Sequence, residues 1–160
     1  MKNDIQKLGI KEFKDDLTLE ILKEKFPWIL RAKIKDAILG YNIDKNSLIW
    51  YHGIWEHGIW KDGTWKAGNW YDGVWGNGVW ETGFWGDGFW EDGTWETGFW
   101  GDGFWEDGIW YNGTWVDGRW YNGKWENGTW RNGIWCGGIW HNGLWVNGTW
   151  KSGVGREAIP

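Results

Sequence analysis

The chain has 160 residues, among them 28 Gly and 22 Trp but one Cys and one Met. That composition is unlike an ordinary enzyme and signals repeats, and the lone Cys136 excludes an intramolecular disulfide. The net charge of −5 divides into +2 over residues 1–50 and −7 over 51–155, an acidity that repels phosphate backbones and argues against nucleic-acid phosphate binding.

In chain order, the opening MKNDIQKLGIKEF has no continuous apolar core, and no apolar run approaches the ~20 residues of a membrane helix. No signal peptide, transmembrane segment or membrane partner is expected, and the location is read as cytoplasmic or virion-associated. Leu17, Ile21, Leu22 and Phe26 recur at helical spacing. Asp15 and Asp16 stand ahead of them, where acids suit a helix N-terminus, and Pro27 ends the run. Residues 1–30 are therefore read as an amphipathic helical cap. Residues 31–50 divide as RAKIK, DAILG, YNIDK and NSLIW, with Ile38, Ile43 and Leu48 five apart. These are read as degenerate first repeats that help close an apolar interior, as solenoid ends require.

From Tyr51 to Trp150 the chain is twenty consecutive five-residue units, YHGIW to VNGTW, with no insertion, and KSGVG follows as a twenty-first. The repeat domain is set at 51–155, with a C-terminal tail at 156–160. Gly fills every third position and Trp every fifth up to Trp150. The second position is Asn or Asp in fourteen of twenty-one units, which with Gly makes a turn every five residues. The fourth is Ile, Thr, Val or Phe in seventeen, which are strand formers. The first is mostly Glu, Lys, Tyr or Gly and reads as solvent-facing. Residues 81–95 and 96–110 are identical except for Thr94 against Ile109, the mark of a duplicated block.

Two architectures compete. An antiparallel meander of three-residue strands fails on hydrogen-bond parity unless glycine bulges repair it, and the repair sends alternate Trp side chains into water. A β-solenoid turns every Trp inward. Gly two residues before Trp resembles the pentapeptide-repeat family, which places a small residue two before a central Leu or Phe. Gly plus Trp fills about the volume of Ala plus Phe, so a packed interior is possible. DAILG is similar to the Ala-x-Leu core of that family, and the resemblance implies coils of five-residue sides, four per coil there. The Gly-x-Trp-x-Asn/Asp-Gly run also resembles MORN-repeat hairpins. The favoured class is an all-β solenoid with inward Trp and an N-terminal helical cap, the alternative a MORN-like antiparallel meander. Side number per coil stays open, because fourth-position identities three and four units apart are equally frequent.

Catalytic chemistry is nearly absent. His52 and His57 hold the same position in adjacent units, so a metal pair is conceivable, but His replacing Asn at a turn explains both. Cys136 has only Arg131 and His141 nearby in sequence, too little to activate a thiol. Asp-Gly pairs at a period of five, with Asn substituting freely, are turn chemistry rather than a calcium loop. No catalytic residue, cofactor or metal is expected. Residues 81–110 hold eight acids and no base: Glu81, Asp87, Glu91, Asp92, Glu96, Asp102, Glu106 and Asp107. They form the candidate acidic interaction surface, with a DNA-mimic reading beside a plainly solvated one. The chain is similar to Gly-x-Trp pentapeptide tandem-repeat proteins of bacteriophages and bacteria, a resemblance that brings no assigned activity. The expectation is a non-enzymatic scaffold for assembly or protein binding, with a protein partner or self-association. The alternative is a sugar-binding module, in which exposed Trp and the outward Tyr51, Tyr71, Tyr111 and Tyr121 stack on carbohydrate.

Overall fold

A computed structural model describes residues 2–159. The repeat folds as a parallel β-solenoid with Trp inside, not as an antiparallel meander. Each unit contributes a two-residue strand, and each strand pairs in register with the strand three units later, Trp65 with Trp80 and Trp80 with Trp95. Three five-residue sides therefore make one fifteen-residue coil, and the coil is triangular rather than square. About seven coils stack. The first side carries Trp50, Trp65 and so on to Trp140, the second Trp55 to Trp145, the third Trp60 to Trp150.

The unit folds this way because its backbone groups find partners one coil away. The fourth residue donates to the Gly carbonyl of the coil before, as Val79 to Gly63 at 2.9 Å. The first residue donates to the preceding coil's Trp carbonyl, as Glu81 to Trp65 at 2.7 Å. The Gly amide has no such partner at the corner, and every Asp in the second position supplies one: Asp87 Oδ1 accepts from Gly88 at 2.6 Å. Glycine itself is required twice over. Gly88 has φ of 125°, and a Cβ there would lie 2.3 Å from the Gly73 carbonyl oxygen.

Inside, each indole stacks on the one a coil away. Trp80 and Trp95 have centroids 4.8 Å apart and planes 5° apart, a spacing that matches the ~4.8 Å between strands. Around the coil, neighbouring indoles meet edge to face, as Trp80 and Trp85 at 5.9 Å and 74°, so both favoured aromatic geometries occur throughout. Trp50 through Trp140 are buried, while Trp145 and Trp150 in the last coil are partly covered.

The N-terminal end is closed by other means. α1 (Lys2–Lys7), β1 (Ile10–Phe13) and α2 (Leu19–Lys25) precede a 3-10 turn, Pro27–Arg31. Thr18, not the aspartates, caps α2, its hydroxyl accepting from Ile21 at 3.2 Å. Of the stretch 31–50, only 46–50 lies in coil register, with Ile49–Trp50 pairing Thr64–Trp65. β2 (Lys33–Asn42) runs antiparallel to β3 (Ser47–His57), whose first and second sides it follows. β2 bends round the corner at Asp36, φ 53°, beside Gly53. A reversed strand satisfies the open hydrogen-bonding edge of the first coil, and the five-residue spacing of Ile38 and Ile43 is not a coil period. The third side is closed by Trp28, edge-on to Trp60 at 5.2 Å. Leu17, Leu22, Phe26 and Ile29 fill the space beneath. At the other end Val154 pairs with Ile139, Gly155 stands in the Trp slot, and Ile159 folds into the core.

Candidate interaction surface

With Trp and Gly turned inward, the solvent meets three ridges and three narrow faces. The ridges are the first and second positions of the turns. The faces are the fourth positions. Sequence neighbours five apart lie on adjacent ridges, and only residues fifteen apart stack in a column.

That rule distributes the eight candidate acids over all three ridges. Glu81 and Glu96 lie on the first corner, after the first-side Trp. Asp87 and Asp102 lie on the second. Glu91, Asp92, Glu106 and Asp107 share the third. They do not form one face. On the second corner Asp72, Asp87, Asp102 and Asp117 form a column ended by His57 and Asn132. His57 Nδ1 lies 3.6 Å from Asp72, and Asn132 donates to Asp117 at 3.1 Å.

The other candidates scatter for the same reason. His52 and His57 sit on different corners. Cys136 is on the third corner, whereas Arg131 and His141, its neighbours in sequence, are on the second and the first. Among the described residues no group of three or more His, Cys, Asp or Glu is placed to hold a metal ion. Tyr71, Tyr111 and Tyr121 fall on three different corners. Tyr51 is tied to the cap: its hydroxyl donates to Asp15, and Lys14 sits 5.0 Å from its ring centroid. The Asp15 contact raises the Tyr51 pKa above its ordinary value. On the first face Lys124 bonds Glu126 at 2.8 Å, raising the lysine pKa and lowering the glutamate's.

Columns of fourth-position residues create a feature that reading the units singly misses. Phe84 and Phe99 stack on the second face at 5.4 Å, and Phe89 and Phe104 on the third at 6.3 Å. Tyr121 leans over from the third corner to extend the latter, 6.3 Å from Phe104. Beside this ladder, Glu91, Asp92, Glu106 and Asp107 line an open groove of about 620 Å³. The signal was present in the fifteen-residue duplication, which is one whole coil: its identical residues had to stack.

No protein-family model, curated protein or solved structure matches the chain. No helix among the described residues is long and apolar enough to cross a membrane.

Proposed function

We propose that the protein is a non-catalytic rod that holds binding ridges at fixed spacing, working in assembly or protein–protein interaction. The observation that carries this reading is the use of the tryptophans. From Trp50 to Trp140 all are buried in one core of three stacked columns, so the residues that dominate the composition build the rod and face nothing outside it. Stacked parallel coils tie each residue to neighbours fifteen positions away, a rigid support for surface side chains. The sugar-binding alternative rests on exposed tryptophans with outward tyrosines beside them, whereas the tryptophans are turned inward and Tyr71, Tyr111 and Tyr121 stand on separate corners. The resemblance to phage and bacterial Gly-x-Trp repeats is compatible with a structural part but assigns no partner.

The test is residue-specific photo-cross-linking in the source cell from the three ridges, run beside a glycan array. A scaffold should give a defined protein adduct from one ridge, absent from the others, and no glycan signal. Saturable glycan binding without a protein adduct would contradict it.

A further inference from the structure

We propose that the third-corner groove docks an extended, arginine-rich peptide segment of a partner protein. This rests on the scaffold reading and assigns it a surface and a partner chemistry. The groove combines two independent features. Its floor is Phe89 and Tyr121, with Tyr121 39% exposed; both stack on Phe104, which itself faces the neighbouring groove beside Asp87 and Asp102. Its wall is Glu91, Asp92, Glu106 and Asp107, two carboxylates from each of two consecutive coils.

None of the four carboxylates is paired with a cation among the described residues. The described ion pairs lie elsewhere, at Glu56, Asp72, Glu81 and Glu126. Asp92 and Asp107 each use one oxygen to accept their own Gly amide, which fixes the carboxylate and leaves its other oxygen outward. The ladder itself already accepts a guanidinium. Arg119 follows Phe104 in the same column, its guanidinium carbon is 5.9 Å from the Tyr121 centroid, and it donates to the Tyr121 hydroxyl at 3.4 Å. A second guanidinium laid over Phe89 would meet an aromatic surface of the same ladder with carboxylates at its edge. Planar stacking together with forked hydrogen bonding to carboxylate is what arginine does better than lysine. The open shape along the rod suits a chain rather than a small enclosed ligand, and the acids reject a nucleic acid.

The experiment is titration of the intact protein with fluorescein-labelled octa-arginine, octa-lysine and octa-glutamate at low ionic strength. Phe89→Thr places at a fourth position a residue the repeat uses at Thr94 and Thr114. Glu91→Gln with Glu106→Gln removes charge alone. Asp87→Asn with Asp102→Asn removes the same charge from the second corner. Thermal melting checks that each variant is folded. Octa-arginine should bind more tightly than octa-lysine, and octa-glutamate should not bind. Phe89→Thr and the Glu double variant should each weaken binding about tenfold. The Asp double variant should bind as the original does. Absent binding, unchanged binding by Phe89→Thr, or an equal loss in the Asp double variant would overturn the proposal. Those failures leave the scaffold reading standing, since cross-linking from the other ridges tests it separately.

Discussion

At the residue scale the fold depends on two side chains, one large and one missing. Trp fills the interior and Gly lets consecutive corners touch. The indole N–H groups are the weak point. Those of Trp70, Trp85 and Trp125 donate to a corner carbonyl of the next coil at 3.1–3.2 Å, while sixteen other buried ones make no hydrogen bond. This sets up a comparison within one column. Trp85→Phe and Trp100→Phe remove the same volume, but the first also leaves the Asp102 carbonyl without its indole donor, whereas the second deletes an unsatisfied N–H. Chemical denaturation should find Trp85→Phe less stable than Trp100→Phe by about 1 kcal/mol; equal losses would mean the indole N–H groups carry no energetic weight. Gly98→Ala asks the other question. It forces a Cβ to within 2.5 Å of the Gly83 carbonyl oxygen at φ 128°, and should cost about 3 kcal/mol. A loss below ~0.5 kcal/mol in the same measurement would deny the close corner contact.

At the scale of the element, the functional unit is the coil of three sides, and this is where the sequence was least legible. The turn at x-Asn/Asp-Gly, the outward first position and the inward Trp are local properties, and the pentad displays them directly. The number of sides is not local. It depends on how sharply a Gly corner bends and how three indoles fill a triangle, and the fourth-position identities were too evenly spread to register it. The duplicated block carried the answer as a length: fifteen residues is one turn. The cap was legible as helix but not as strand, because β2 closes the coil with backbone hydrogen bonds that leave no periodic side-chain mark. Deletions test the coil. Removing 96–110 takes out one whole coil and leaves every other column aligned. Removing Thr97 alone puts Trp95 and Gly98 out of phase. The first variant should melt close to the original and the second well below it, by the ~3–5 kcal/mol of a misplaced core residue. A Thr97 deletion that melts no lower than the coil deletion would show that the units do not stack in strict register.

The cap has its own titration. The Tyr51 pKa is raised because its hydroxyl donates to Asp15, so the neutral form is favoured in the folded state. Its stabilisation is then complete below the tyrosine's ordinary pKa of 10.0 and is lost as pH rises through the higher folded value. Hydrogen exchange of β2 should quicken across that alkaline range, and Tyr51→Phe should abolish the step. A step that persists in the phenylalanine variant would assign it to another group.

At the scale of the whole molecule, sequence separation becomes height along a rod at one strand spacing per fifteen residues. Spin-label distances measure this directly. With Cys136→Ser as background, labels are placed by cysteine substitution at His52 and at Asn112, Asn127 or Asn142, all on the first corner. These sites are separated by four, five and six coils, so the distances should be about 19, 24 and 29 Å, rising by ~4.8 Å per step. Increments of about 14 Å per step would instead mean that every unit is its own strand in a meander. Distances that fail to rise in equal steps would mean that fifteen residues do not return to the same corner, and the three-sided coil would be wrong.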